Sequence, residues 1–304
     1  MIKAGLVMVN GQSARASSGI HAGDRIEIAP PSIPIPIQSH GEAPEIEVLF
    51  ADDELIAVNK PAGMTVHPAP GHPDGTLVDA LLARFPELAA MAEPDGVLRP
   101  GIVHRLDKET SGVMVVARTP FARTQLSREF KERTAKKTYL AIVRGVIAKD
   151  RLTIDRAIGR HPVDRKRMST TSHHSRDALT QVLVLGRFVG LTRDDAGTTL
   201  VRVRPETGRT HQIRVHLASI GHPCLGDSLY GPEHRGRRLP DELANDRFWF
   251  ERHALHAAAL SLTHPRSNQR VEFVAPLPGD FRQFLETRSV AADEQSMRNW
   301  IALN

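Results

Sequence analysis

The 304-residue sequence has little cysteine, few aromatic side chains and no long apolar run. Cys224 is the single cysteine, which excludes intrachain disulfides and cysteine-rich zinc sites and fits a reducing cytoplasm. No segment approaches the roughly 20 consecutive apolar residues that a membrane span requires. The first ten residues are too short and too polar for the core of a signal peptide. We therefore expect a cytoplasmic protein with no membrane segment.

Several enzyme classes are excluded because their short motifs are missing. The chain has no Walker loop, no Gly-x-Gly-x-x-Gly opening a helix, no His-Glu-x-x-His and no Gly-x-Ser-x-Gly. Its 15 histidines are scattered. The pairs His173-His174 and His253-x-x-His256 lack carboxylate or thiolate partners of the kind that metal sites use. The sequence therefore predicts no metal site.

Charge is distributed unevenly along the chain. Arg118 to Arg167 contains 15 basic and 5 acidic residues, whereas the whole chain has a net charge of only +5, so the remainder is net acidic. This asymmetry favours binding of a polyanion, with nucleic acid the first candidate and a membrane surface the second. The alternatives are a solvated basic face and a genome that favours arginine over lysine.

The order of apolar and turn-forming residues indicates an α+β protein of four parts. Residues 1–29 contain short β-like runs, and 30–44 form a proline-rich, extended linker. Residues 45–285 form the main body, and 286–304 are expected to be a short helical or frayed tail. Within the body we predict strands at 46–50, 55–58, 113–116, 138–143 and 199–204, and helices at 77–88 and 121–131.

One polar loop stands out, Gly101 to Gly112, which leads directly into an apolar strand. Asp107 lies between Arg105 and Lys108 in this loop, and neighbouring cations keep a carboxylate ionised and available as a nucleophile or base. The alternative is an aspartate that caps a turn before the strand.

A second segment, Glu206 to Leu217, has the spacing of a helix that offers arginines to a site while it buries Ile213 and Leu217. Read without further context, it could equally be an ordinary amphipathic helix whose arginines are solvated.

Together, these segments resemble the RluA/RluD-type pseudouridine synthases, and the similarity extends from about Ile46 to Pro278. The family signature His-Arg-Leu-Asp-x-x-Thr-Ser-Gly stands at His104 to Gly112 without a departure. Two later blocks also agree, Thr207 to Ala218 and Leu225 to Gly231. The resemblance implies a pseudouridine synthase fold: a mixed, mostly antiparallel sheet with flanking helices and a central active-site cleft.

The resemblance also implies roles for individual residues. Asp107 matches the catalytic aspartate, and Arg105 the arginine that enters the base stack where the target nucleotide leaves. Tyr139 resembles the tyrosine that packs on the flipped uracil. Arg214 matches the basic residue that ion-pairs with the aspartate, although Arg209 is a second candidate for that pair. His104, Arg209, His211 and Lys137 complete the expected RNA-binding set.

The implied reaction isomerises uridine to pseudouridine in structured RNA, and 23S ribosomal RNA is the expected substrate. It adds no group to the RNA, so no cofactor is expected. Competing hypotheses are a non-catalytic RNA-binding or ribosome-assembly factor on the same fold and a metal-dependent nuclease. RNA is the expected partner, and we expect a monomer.

In this family an S-four-type RNA-binding module often precedes the synthase body. Residues 5–11 and 23–26 resemble its closing half, whereas the two helices of its opening half are missing. We expect either a start later than that of the natural chain or a remnant that has lost its RNA role.

Overall fold

A nine-stranded mixed sheet forms the centre of the molecule. The computed structural model describes residues 2, 7–15, 17–28, 43–68, 72–91, 99–172, 174–188, 197–231 and 250–303. The strands are β1 Val7–Val9, β2 Gln12–Ser13, β3 Ile26–Ile28, β4 Glu47–Ala51, β5 Leu55–Lys60, β6 Ser111–Ala117, β7 Lys136–Arg144, β8 Arg151–Asp155, β9 Ile158–Arg160, β10 Met168–Ser169, β11 Ser175–Arg176, β12 Leu179–Phe188, β13 Thr198–Pro205, β14 Leu255–Thr263 and β15 Arg270–Val274. The described helices are α1 Leu77–Arg84, α2 Pro120–Glu132, α3 Gln212–Ser219, α4 Gly279–Glu286 and α5 Glu294–Ala302.

The strand order places the residues of the signature loop at the middle of this sheet. The order is β4-β5-β6-β14-β7-β13-β12-β8, and β15 pairs with the far part of β14. Neighbouring strands are antiparallel except β6 and β14, which are parallel. The signature loop leads into β6. It therefore lies near β14 and β7 in the middle of the strand order, with further strands on both sides.

The helices begin at recognisable caps. Thr76 caps α1 in a capping box with Asp79, and Thr119 caps α2, whose first residue is Pro120. Helices α1 and α2 pack with β4, β5 and β6 around one apolar core. Helix α3 packs on β7, β12 and β13 in a second core.

The final helix is part of the fold, which differs from the expectation of a tail at 286–304. Met297 and Ile301 of α5 are buried against α4 and the sheet. Arg204 donates to the carbonyl oxygen of Ile301 at 2.8 Å, and Arg202 donates to three carbonyl oxygens at the same helix end. Because the carboxyl end of a helix carries unpaired carbonyls and partial negative charge, the two strand arginines hold it in place.

The sequence-predicted strands and helices of the body are all present, with ends shifted by one or a few residues. The helix predicted over 77–88 is α1 followed by a 3₁₀ turn over Pro86–Met91. In the amino-terminal part, β1, β2 and β3 form a three-stranded sheet. Of its described residues, Ala14 alone is a buried hydrophobic, which fits a β piece without a core of its own. The S-four resemblance stays a prediction.

The linker expected at 30–44 lies almost wholly outside the described residues, apart from its last two positions. No helix in the part of the chain that the structure describes is long and apolar enough to cross a membrane.

Gly112 is required where the signature loop enters β6. Its φ is +118°, and a Cβ atom built at this position would lie 2.2 Å from the carbonyl oxygen of Ala257. Both the backbone conformation and the close approach of β14 therefore exclude a side chain.

We predict that Gly112→Ala lowers the free energy of unfolding by more than about 2 kcal/mol, because strain and a backbone clash add. Gly279→Ala is the matched control, since no atom lies within 4 Å of a Cβ there and Gly279 is the first residue of α4. Urea unfolding should show a change within about 0.5 kcal/mol for that control. Equal midpoints for the two variants would contradict the packing argument.

Candidate active site

All eight residues singled out from the sequence line one cleft of about 490 Å³. These residues are His104, Arg105, Asp107, Lys137, Tyr139, Arg209, His211 and Arg214. They come from three places: the signature loop, strand β7, and the first residues of α3 with the turn that leads into it. The fold therefore brings together residues that are about 100 positions apart in the chain.

Two buried cations fix the backbone of the loop that carries Asp107. Lys60 at the end of β5 is wholly buried, and its Nζ donates to the carbonyl oxygens of Pro61, Met64 and Lys108 at 2.7, 2.9 and 3.0 Å. Three acceptors use the three N–H groups of an ammonium ion. Burial lowers the pKa of Lys60 to about 7. The side chain therefore ties the Pro61–Met64 turn to the loop.

Arg252 holds the same loop from the other side. Its Nη1 donates to the carbonyl oxygen of Glu109 at 3.1 Å, while Nε and Nη2 form a bidentate pair with Asp280 of α4. The hydroxyl of Thr110 lies 2.7 Å from Nε2 of His253, which is buried. The position of the loop is thus determined by tertiary contacts on both sides.

Arg214 is the cation that faces Asp107. Its Nε and Nη2 donate to the two carboxylate oxygens of Asp227 at 2.7 and 2.9 Å, and its Nη1 donates to Oδ2 of Asp107 at 3.0 Å. Asp227 is wholly buried and also accepts from the backbone N–H groups of Leu229 and Tyr230. One planar guanidinium is therefore oriented by one carboxylate and presented to the other.

The Asp107 carboxylate stays ionised although it lies in a partly enclosed cleft. Burial alone would raise its pKa, but the charge of the neighbouring Arg214 and the hydrogen bond that it donates lower the pKa below the usual value. Burial also disfavours the charge of Arg214, but its contacts with Asp227 and Asp107 raise the pKa of that guanidinium. Asp107 is consequently a carboxylate whose Oδ2 pairs with Arg214 and whose Oδ1 does not.

Tyr139 occupies the wall of the cleft on β7, between Val203 of β13 and Ala257 of β14. Burial, and then the negative charge of Asp107, raise the pKa of its hydroxyl. It is therefore a neutral phenol, whose ring offers a flat apolar surface beside the carboxylate.

His104 and Arg105 precede Asp107 but differ in environment. His104 stacks on Phe130 at 4.4 Å and its Nε2 accepts from the backbone N–H of Val115 at 3.0 Å. Burial lowers the pKa of His104 to about 3, so it brings no positive charge to RNA. Arg105 is exposed at the rim of the cleft, where it can reach a bound polyanion.

The remaining predicted residues also line the cleft. Arg209 precedes α3 and donates through Nε to the carbonyl oxygen of Asp177 at 3.1 Å, so Arg214 and not Arg209 pairs with Asp107. Lys137 is half-buried, and burial lowers its pKa. Lys131 and Arg133, which the sequence analysis did not single out, line the same rim. The rim can therefore hold phosphates around a carboxylate floor.

The sequence analysis assigned no role to Asp227, His253 or Tyr230, which support the floor of the cleft. Asp227 and Tyr230 lie in the block Leu225 to Gly231, which was noted only as agreement with the family. Tyr230 places its ring 5.1 Å from the Arg214 guanidinium. The available signal was the scarcity of tyrosine: the chain has two, and both lie at this site.

The chain is similar to known proteins over most of its length. Residues 54–219, which contain both the signature loop and α3, match the family model described as RNA pseudouridylate synthase. An uncharacterized RNA pseudouridine synthase of Bacillus subtilis, YlyB, is 41% identical over 285 residues, covering 94% of this chain and 86% of the relative.

Two further relatives cover most of the chain. The ribosomal large subunit pseudouridine synthase D of Pseudomonas aeruginosa is 40% identical over 285 residues, which are 92% of this chain and 83% of that protein. The solved structure of human RNA pseudouridylate synthase domain containing 1 superposes with a TM-score of 0.63 at 28% identity, covering 86% of this chain and 97% of that one.

We predict that Asp227→Asn destabilises the protein by about 3–5 kcal/mol, because it leaves the buried Arg214 guanidinium half-paired. Asp150→Asn removes an exposed partner of Arg187 and should cost less than about 1 kcal/mol. Urea unfolding at neutral pH measures both.

The stability contributed by Asp227 depends on pH in a direction that follows from its pKa shift. The pKa of Asp227 is lowered in the folded protein because its contacts with Arg214, His253 and Tyr230 outweigh burial, which raises it. Its contribution is therefore complete above the unfolded pKa near 4 and is lost as the pH falls through the lower folded value. The stability difference between wild type and Asp227→Asn should shrink on acidification. A difference independent of pH between 7 and 3 would contradict the assignment.

Proposed function

The chain belongs to the RNA pseudouridylate synthase family, and on that premise we propose that Asp107 isomerises uridine in large-subunit ribosomal RNA. The observation that carries the proposal is the Asp107–Arg214 ion pair, which lies at the floor of a cleft ringed by cations. It supplies one ionised, oriented carboxylate where a flipped nucleotide would enter.

The reaction requires a group that acts on the nucleoside without adding anything to it. The bond from C1′ of the ribose to N1 of uracil breaks, the uracil rotates, and C1′ joins C5. The proton on C5 is lost and N1 gains one, so the product is an isomer. Asp107 can attack C6 of the ring or C1′ of the sugar, or can assist removal of the 2′ proton. All three roles need its ionised form.

The target nucleotide must leave the RNA stack before Asp107 can reach it. Extruding a nucleotide costs a few kcal/mol. Arg105 at the exposed rim can occupy the space that the nucleotide leaves, and the ring of Tyr139 can stack on the flipped uracil. Arg105 and Tyr139 line the same cleft as Asp107, so both contacts can form in one complex.

Ribosomal RNA is the proposed substrate because several relatives at 40–45% identity carry the name ribosomal large subunit pseudouridine synthase D. We propose a cytoplasmic location, because the proposed substrate is ribosomal RNA. We further propose that one copy of the chain suffices, since the eight predicted site residues line one cleft of a single chain.

We predict that Asp107→Asn reduces turnover by at least about 10³-fold while RNA affinity changes less than about threefold, because the variant keeps the shape of the side chain but not its charge. Tritium release from [5-³H]uridine RNA measures turnover, and filter binding measures affinity. Asp150→Asn, an exposed aspartate away from the cleft, is the control. Substantial turnover by Asp107→Asn would refute the role, and an inactive wild type with intact binding would favour a non-catalytic RNA-binding factor.

Mapping pseudouridines in total RNA tests the substrate. A strain that lacks the gene should lose one or more pseudouridines in 23S ribosomal RNA, and a plasmid copy should restore them whereas the Asp107→Asn copy should not. Loss confined to transfer RNA would overturn the ribosomal assignment while leaving the activity intact.

A further inference from the structure

Tyr230 links strand β10 to the turn before α3 through its hydroxyl group. The hydroxyl oxygen lies 2.9 Å from the backbone nitrogen of Met168, which donates to it, and 2.8 Å from Nδ1 of His211. The ring packs edge-on against the His211 imidazole at 5.7 Å. These contacts determine where the proton of the hydroxyl can go.

The hydrogen-bond inventory assigns that proton. A backbone N–H can only donate, so the Tyr230 oxygen accepts from Met168 and its own proton is available to His211. A neutral imidazole that accepts at Nδ1 carries its proton at Nε2. The contact with Tyr230 thus accommodates the Nε2-protonated tautomer of His211, with the hydroxyl group donating to Nδ1.

The other side of the imidazole leads to the same tautomer. Nε2 of His211 lies 3.8 Å from Oδ1 of Asp107, the carboxylate oxygen that Arg214 does not pair with. A lone pair on Nε2 would face a negatively charged oxygen and be repelled, whereas an N–H would be attracted. At 3.8 Å this N–H makes no full hydrogen bond to Asp107. It remains available to the cleft, which His211 lines.

Burial keeps the imidazole of His211 neutral. Burial is the largest effect and lowers its pKa; Asp107 and Asp227 oppose this, while Arg214 and Arg105 add to it. The left-handed backbone of His211, with φ of +55°, places the residue at the turn into α3 and directs the ring between Tyr230 and Asp107.

We propose that Tyr230 is a positioning residue that acts through His211, holding its imidazole in the Nε2-protonated form so that a hydrogen-bond donor faces the free oxygen of Asp107. This inference deepens the proposed function and rests on it for its effect on turnover. Its statement about the tautomer concerns the free protein and stands or falls separately.

Long-range ¹H–¹⁵N NMR of ¹⁵N-histidine-labelled protein without RNA tests the tautomer, because protonated and unprotonated ring nitrogens have different shifts. The His211 signals, assigned by their loss in His211→Gln, should show Nε2 protonated and Nδ1 unprotonated between pH 7 and 8. In Tyr230→Phe, which keeps the ring beside Arg214, the Nδ1-protonated form should increase. Protonation at Nδ1 in the wild type would overturn the proposal.

A double-mutant cycle tests the effect on turnover. Tyr230→Phe should lower kcat about 10-fold, or about 1.4 kcal/mol, with the dissociation constant for RNA unchanged within about twofold. His211→Gln presents an amide N–H that has no alternative tautomer, so adding Tyr230→Phe to it should change kcat by less than about twofold. An undiminished 10-fold loss in that background would show that Tyr230 acts through other contacts and would contradict the proposal. If His211→Gln has no measurable turnover, the NMR result decides.

Discussion

The structure depends on one guanidinium shared between two carboxylates. Two nitrogens of Arg214 donate hydrogen bonds to the buried Asp227, and the third donates to Asp107. A buried charge must be paired, and Asp227 offsets the free-energy cost of burying the Arg214 guanidinium. Arg214 in turn keeps Asp107 ionised in a cleft that would otherwise favour its neutral form. One oxygen of Asp107 is therefore held by Arg214, and the other lies 3.8 Å from Nε2 of His211.

The rest of the molecule holds these three side chains in register. Strand β6 carries the loop of Asp107, α3 carries Arg214, and the turn before β14 carries the buried Arg252 and His253. Lys60 of β5 and Arg252 of the turn before β14 hold the successive carbonyl groups of Lys108 and Glu109 in the signature loop, so side chains from both sides of β6 fix the loop. Tyr139 projects from the next antiparallel strand into the same space. Cationic side chains at the rim, among them Arg105, Lys131 and Arg133, line the same cleft.

The sequence allows five strands of the central sheet, helices α1 and α2 and eight candidate residues of the cleft to be predicted, because apolar periodicity and two long motifs carry that information. It does not decide between Arg209 and Arg214, since helical spacing suits both; the helix in fact begins at Gln212, which leaves Arg209 outside it. Asp227 was overlooked because it lies 13 residues from Arg214 in a turn, where an aspartate usually caps its own backbone. The docking of α5 was not predictable either, because the partners of Arg202 and Arg204 are backbone carbonyls, which no residue pattern reveals.

The central claim, that Asp107 is held ionised inside the cleft by Arg214, is tested most directly by titrating that one carboxyl group. Carbon-detected NMR of protein labelled with ¹³C at aspartate, with the signal assigned by its loss in Asp107→Asn, gives the pKa of Asp107 itself. The account predicts a value below the ordinary aspartate pKa of about 3.9. A value above that, which burial alone would produce, would contradict it.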